Sequence, residues 1–307
     1  MINMRRILCP TDFSEFSAAA LDHAVAFGGA HQSRLSVLHV TPLMPSVSGT
    51  GALAINPITW EPRSHDRMVE MVREFAEPAF RAGLDVDCLV REGPVVAEIL
   101  AEARHTRADL VALGTHGRGG FDRFVLGSVA EKVLHKAPCP VLTVSGPAQG
   151  ATPHAATELR SIVCPVDFSP TSRLALTHAL SLAERSKARL TILHVLEWPQ
   201  GPLHPPYAAT LTQYREQLQN EALHELRAAV PPEARAWCDV HERVALGSPW
   251  RQILHTLAAD QADLAVLGVR GATRLEQVVF GSVVNQVVRH ATCPVLTVRQ
   301  LEHEHFE

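Results

Sequence analysis

The chain has 307 residues, 46% of them hydrophobic and 20% charged, which suits a globular protein long enough for two domains with separate cores. Its net charge of −4 is spread along the chain, and arginine supplies nearly all the positive charge (lysine occurs only as Lys132, Lys136 and Lys187), so no basic stripe for nucleic acid exists. No stretch approaches the roughly 18 apolar residues of a membrane span, and the first residues run straight into a strand-like segment with no leader pattern; a cytoplasmic protein is expected.

Residues 6–11 form a continuous apolar run closed by Asp12, the pattern of a central parallel strand. Phe16, Ala20, Ala24 and Phe27 follow at helical spacing until Gly28-Gly29, which is expected to stop the helix. A second strand is predicted over 35–40. The stretch 41–62 is rich in Pro, Gly and Ser and has no period, so a mobile loop and candidate lid are expected. A helix is predicted over 63–81, interrupted late by Pro78, then a third strand over 84–90. Gly93-Pro94 opens the next helix, which runs to Arg104 with the proline in its first helical position. Residues 109–114 read as a fourth strand, 128–136 as the last helix and 141–144 as a fifth strand.

The second half repeats the first. Ile7-Leu8-Cys9-Pro10-Thr11-Asp12-Phe13-Ser14 is matched by Ile162-Val163-Cys164-Pro165-Val166-Asp167-Phe168-Ser169, and Leu38-His39-Val40 by Leu193-His194-Val195. One net deletion brings Cys139-Pro140-Val141-Leu142-Thr143-Val144 onto Cys293-Pro294-Val295-Leu296-Thr297-Val298. Ser169-Pro170 and Ser248-Pro249 are both cap-then-proline helix starts. The loop after the second strand of this half, 196–210, carries Pro199, Pro202, Pro205 and Pro206 and is expected to be shorter and stiffer than its counterpart. The expected organisation is a first domain over 1–145, a linker over 146–158, a second domain over 159–300 and a polar tail over 301–307.

Strands alternating with helices imply an α/β fold with a parallel sheet, right-handed crossovers and helices on both faces. Such sheets bind ligands beyond the carboxyl ends of the strands where strand order reverses, here between the first and fourth strands. The segments that meet there are Asp12 and a glycine motif: Gly114-Thr115-His116-Gly117, nine residues, then Gly127-Ser128. Its copy is Gly268-Val269-Arg270-Gly271, nine residues, then Gly281-Ser282. Glycines at a strand exit admit a ligand close to the backbone and accept positive φ, and the helix start that follows offers amides and a positive dipole end to a phosphate. Ser128 and Ser282 sit where a hydroxyl can cap the helix or donate to phosphate; the plainer alternative is an ordinary loop with a serine cap. Asp12 and Asp167 likewise fit a turn or cap role.

The six cysteines contain no C-x-x-C pair, and four precede proline in strand-like runs, so they read as small buried hydrophobes. The seventeen histidines show no metal-ligand spacing, and His39 and His194 read as core-facing strand residues. There is no G-x-x-x-x-G-K motif, no G-x-G-x-x-G fingerprint and no nucleophile beside a clear general base.

At the duplicated G-x-x-G, nine residues, G-S motif and at Pro10-Thr11-Asp12-Phe13-Ser14-Glu15, the chain resembles the ATP-binding branch of the universal stress protein family in its tandem two-domain form. The resemblance implies two Rossmann-like (adenine nucleotide α-hydrolase-like) domains, each a five-stranded parallel sheet in the order 3-2-1-4-5. It implies ATP, or ADP or AMP, as ligand, with Mg²⁺ a candidate companion. Pro10, Thr11 and Asp12, with Pro165, Val166 and Asp167, would lie near the adenosine, and the backbones of Val40 and Val195 at the adenine edge. Gly114, His116, Gly117, Arg118, Gly127, Ser128 and Val129 would line the ribose and phosphates, as would Gly268, Arg270, Gly271, Gly281, Ser282 and Val283. Val166 in place of Thr11 would remove a hydroxyl from the pocket floor. The fifth strands are expected to pair antiparallel within one chain, mimicking a family homodimer, and a further homodimer of the tandem chain stays open. The function implied is a nucleotide-binding stress regulator or sensor with slow hydrolysis at most; an interaction scaffold without nucleotide is the alternative.

Overall fold

A computed structural model of the chain describes residues 4–42, 46–47, 53–54, 62–116, 126–145, 159–198, 208–269 and 281–300. It falls into two compact units, one over Asn3–Thr157 and the other over Glu158–Glu307 joined by Met1–Ile2.

The N-terminal unit contains β1 (Arg6–Thr11), α1 (Glu15–His31), β2 (Arg34–Thr41), β3 (Ser46–Val47), β4 (Leu53–Ala54), α2 (Pro62–Phe75), α3 (Glu77–Arg81), β5 (Asp85–Glu92), α4 (Val95–His105), β6 (Leu110–Gly114), α5 (Ser128–Lys136) and β7 (Val141–Val144). Five of its strands are parallel neighbours in the order β5-β2-β1-β6-β7. The C-terminal unit contains β8 (Ser161–Pro165), α6 (Pro170–Ser186), β9 (Arg189–Leu196), α7 (Ala208–Ala229), a 3₁₀ turn (Pro232–Ala236), β10 (Val240–Leu246), α8 (Pro249–Ala259), β11 (Leu264–Val269), α9 (Ser282–His290) and β12 (Val295–Arg299). Its parallel order is β10-β9-β8-β11-β12. Both units therefore have the order 3-2-1-4-5.

The central strands read as continuous apolar runs because helices cover both faces. Ile7, Leu8 and Cys9 are at most 1% exposed, as are Ile162, Val163 and Cys164. In the first unit α1 packs on β1, β6 and β7 and touches α3, while α4 packs on β1, β2 and β5 and touches α5, the two helical layers that right-handed crossovers demand. Asp109 stays just outside β6 because its carboxylate accepts the amides of Arg5 and Arg6, at 3.0 and 2.9 Å. Asp263 does the same for Arg160 and Ser161.

Several boundaries differ from the sequence expectation. Gly28-Gly29 does not stop α1, which runs on to His31 and ends at Gln32 in the left-handed region, φ 52. An interior glycine costs a helix only about 1 kcal/mol. Gly28 also has a packing reason, since a Cβ there would lie 3.0 Å from Leu84 Cδ1. Pro94 is the N-cap of α4, with ψ 113, one residue before the first helical position; lacking an N–H, it forfeits no hydrogen bond in either place. The supposedly aperiodic 41–62 segment contains an antiparallel pairing of β3 with β4, Ser46 opposite Ala54; the rest of that candidate lid lies outside the described residues. The 196–210 loop is shortened by α7, which begins at Ala208. As expected, the 63–81 helix breaks at Ala76, and α3 restarts with Pro78 in its first turn.

The six cysteines are free, five buried and Cys88 half-buried. Burial, with Asp22 nearby, pushes the Cys9 thiol up to about 12, so it is an inert core side chain. No helix among the described residues is long and apolar enough to cross a membrane.

Candidate functional site

In the N-terminal unit β1 and β6 pair only through Ile7 with Leu110 and Leu8 with Val111. β1 then runs on to Thr11 and β6 to Gly114 without further pairing, at the carboxyl ends where sheets of this topology leave a crevice. The C-terminal unit repeats this: β8 and β11 pair at Ile162 with Leu264 and Val163 with Ala265, then separate. Pro10 and Thr11 close β1, Asp12 follows them, and Val40 lies near the end of the neighbouring β2. Gly114 and His116 leave the end of β6, and Gly127, Ser128 and Val129 begin α5. The strand exit and the helix start are tied directly, the Gly127 amide donating to the Thr115 carbonyl at 2.8 Å. Pro165, Val166, Asp167, Val195, Gly268, Gly281, Ser282 and Val283 take the matching places. Gly117, Arg118, Arg270 and Gly271 lie outside the described residues.

The expected positive φ is not what these glycines supply. None of Gly114, Gly127, Gly268 and Gly281 has a positive φ. A Cβ on Gly114 would lie 2.7 Å from Phe16 Cβ and 2.8 Å from the Phe16 carbonyl carbon. On Gly268 it would lie 2.5 Å from the Thr171 oxygen. These two glycines let the first turn of α1 or α6 cross close over the strand end. Ser128 and Ser282 are not caps either: the N-caps are Gly127 and Gly281, and neither helix has a side-chain cap hydrogen bond. Among the described residues the cap positions of α5 and α9 thus offer their first-turn amides no side-chain acceptor, an arrangement suited to an external anion.

Asp12 does act as a turn residue, its Oδ1 accepting the Ser14 amide at 3.0 Å. Asp167 Oδ1 accepts both the amide and the hydroxyl of Ser169, at 3.1 and 2.5 Å. Ser14 and Ser169 cap α1 and α6, each hydroxyl accepting an amide three residues on at 3.2 Å. Thr11 does not offer its hydroxyl to the pocket floor: the residue is 6% exposed, and Oγ1 accepts the Phe13 amide at 2.9 Å and meets Ser17 Oγ at 3.1 Å.

Sequence reasoning missed the feature that sits behind both aspartates. Phe13 and Phe168 each have φ 62, a left-handed conformation that costs a non-glycine residue about 1–2 kcal/mol. Their rings lie 4.6 Å from those of His39 and His194. These histidines are half-buried, not core-facing, and their Nδ1 atoms reach the carbonyls of Thr11 and Val166, at 2.8 and 2.7 Å. The repetition of Leu-His-Val beside Asp-Phe-Ser in both halves was the available signal.

The profile of the universal stress protein family matches residues 3–145 and again 158–299. Over 295 residues the chain is 28% identical to a universal stress protein of Mycolicibacterium smegmatis, covering 95% of this chain and 96% of that one. A universal stress protein of Methanocaldococcus jannaschii is 32% identical over 146 residues, 47% of this chain and 83% of its own. The crystal structure of a universal stress protein from Archaeoglobus fulgidus has the same fold, with a TM-score of 0.70 at 22% identity and 99% of each chain covered. With both units matched, the chain belongs to the universal stress protein family as a tandem of two of its domains.

Proposed function

We propose that each unit binds an adenine nucleotide, ATP foremost, in the crevice where its first and fourth strands part, and that the chain works as a nucleotide-dependent stress regulator or sensor. The observation that carries this reading is the pair of uncapped helix starts, α5 and α9, each following a G-x-x-G, nine residues, G-S motif at the open end of a parallel sheet. In this reading Ser128 and Ser282 donate hydroxyls, and Val129 and Val283 amides, to phosphate oxygens. Asp12 and Asp167 accept hydrogen bonds from the ribose, and the main chain of Val40 and Val195 meets the adenine edge. His116, Arg118 and Arg270 supply positive or donor groups toward the phosphates.

Binding is favoured over turnover. Rapid phosphoryl transfer needs metal ligands and charge clamps around the γ-phosphate, and the sequence carries no G-x-x-x-x-G-K motif and no nucleophile beside a clear general base. Mg²⁺ enters this reading only as a companion of the phosphates. The reading has the protein working in the cytoplasm, where ATP is abundant.

The test is direct. Full-length protein purified from cells and denatured should release ATP, ADP or AMP on mass spectrometry, and titration of nucleotide-free chain with ATP should fill two sites. Gly127→Val and Gly281→Val should each remove one equivalent. A chain that releases no adenine nucleotide and takes up none at millimolar ATP overturns the reading.

A further inference from the structure

The left-handed backbone of Phe13 and Phe168 needs an outside restraint, because a bulky side chain avoids that region. In the N-terminal unit one restraint is Thr11 Oγ1, which accepts the Phe13 amide. In the C-terminal unit Val166 has no hydroxyl to offer, yet φ is 62 at both phenylalanines. Both units share the aspartate Oδ1 that accepts the serine amide across the phenylalanine, and both share a histidine that reaches over from the neighbouring strand. His39 Nδ1 lies 2.8 Å from the Thr11 carbonyl and His194 Nδ1 lies 2.7 Å from the Val166 carbonyl. A carbonyl only accepts, so Nδ1 carries the hydrogen and donates in each case. The same ring lies against the phenylalanine with centroids 4.6 Å apart, tilted by 33° in the first unit and 30° in the second. Each histidine immediately precedes Val40 or Val195, and each carbonyl it holds immediately precedes Asp12 or Asp167.

We propose that His39 and His194 are positioning residues of the two crevices: through Nδ1–H and the ring contact with phenylalanine, each locks the aspartate-bearing turn to the end of the neighbouring strand. The proposal rests on the nucleotide reading above, in which Asp12 and Val40 hold the two ends of one nucleoside and their separation sets its fit. The lock would act without touching the ligand. An unlocked turn would let Phe13 relax out of the left-handed region and carry the Asp12 carboxylate away from the crevice.

Side-chain geometry supplies a graded test in the full-length chain. Asparagine carries its N–H₂ at the same reach as histidine Nδ1, glutamine carries it one bond farther, and leucine has no donor. His39→Leu and His39→Gln should weaken ATP at the N-terminal crevice about tenfold, while His39→Asn stays within about threefold of wild type. Amide hydrogen exchange of Phe13 and Ser14 should quicken in the first two variants and stay slow in the third. The parallel series at His194, read at Phe168 and Ser169, serves where a His39 variant fails to fold. Equal affinities and equal exchange across all three substitutions overturn the proposal, as does equal loss in all three. A wild-type chain that binds no ATP refutes the nucleotide reading, while the exchange pattern still decides whether the histidine holds the turn.

Discussion

At the end of β1, Thr11 Oγ1 accepts the Phe13 amide and meets Ser17 Oγ; at the end of β8, Val166 can do neither, and the equivalent Ser172 Oγ accepts the Asp167 amide at 3.3 Å instead. The carboxylates differ in the same way. Asp167 is exposed and takes a 2.5 Å hydrogen bond from Ser169 Oγ, whereas Asp12 is half-buried and the matching Ser14 Oγ points to Ser17 Oγ at 3.5 Å. Yet the strands part at equivalent pairs, the phenylalanines share one φ, and the histidines make the same bond. The frame of the crevice is thus set by strand topology and main-chain restraint, and the hydroxyls around it are adjustable. On the nucleotide reading, a ligand that approaches Asp167 Oδ1 would compete with Ser169, which predicts unequal affinities on one shared frame.

The glycines offer the sharpest way to separate frame from adjustment. Gly114→Ala and Gly268→Ala should each destabilise their own unit by about 3 kcal/mol, because the new methyl group would press on α1 or α6 at 2.7 and 2.5 Å. Gly268→Ala should be the worse of the two, since all three of its nearest atoms are backbone and cannot swing aside. At the helix starts the units should diverge. Both Gly127 and Gly281 are N-caps, where alanine costs about 0.5 kcal/mol relative to glycine. Gly127→Ala adds a contact 3.0 Å from the Thr115 carbonyl oxygen and should lose about 1 kcal/mol more; among the described residues a Cβ on Gly281 meets nothing within 4 Å. Urea unfolding of the full chain, fitted as two units, checks this order. Equal losses at Gly127 and Gly281 would erase the distinction.

Much of this frame was legible in the sequence, and the reasons are local. Apolar runs such as Ile7-Leu8-Cys9 and Leu110-Val111-Ala112 define buried strands by themselves, and handed crossovers then put the first and fourth strands side by side. The ends of β1 and β6, with Asp12 and Gly114, follow from that. What escaped was tertiary. Gly114 is needed by the first turn of α1, a hundred residues earlier in the chain, and His39 grips a carbonyl 28 residues back. No periodicity encodes either contact. Gly28-Gly29 misled because a helix packed on a sheet tolerates a glycine that an isolated helix would not.

Acid provides a second comparison. His23 on α1 and His178 on α6 occupy equivalent places, and burial lowers both from 6.5 to about 4. The unfolded chain takes up these protons as pH falls through 6.5, while the folded chain resists until about 4. Their stability contribution is therefore whole above the ordinary histidine range and drains away between there and the lowered value, by about 2 kcal/mol per unit after allowance for partial exposure. The N-terminal unit carries Asp22 beside His23, its carboxyl raised by burial, where the C-terminal unit has Thr177. A raised acid binds its proton sooner in the folded state, which offsets part of the loss as pH falls toward its unfolded value. The C-terminal unit should thus soften more steeply in acid, and His178→Leu should flatten its response. Urea midpoints at pH 7.5 and pH 4.5 measure both; a His178→Leu slope equal to wild type would remove the histidine from the account.

The smallest effect tests whether the hydroxyl network can be moved between units. Thr11→Val removes the acceptor of the Phe13 amide and the partner of Ser17 Oγ, and should cost the N-terminal unit about 1 kcal/mol and a few-fold in ATP affinity. The reverse change, Val166→Thr, should recover less than half of that. In the C-terminal unit Ser172 Oγ already donates to the Ser169 carbonyl at 3.1 Å and accepts the Asp167 amide. A new threonine hydroxyl there would gain the Phe168 amide but find its second partner engaged. Paired urea and ATP titrations of the two variants read the difference. A gain at Val166→Thr as large as the loss at Thr11→Val would mean that the two networks are independent, and that the C-terminal crevice lacks a hydroxyl without having compensated for it.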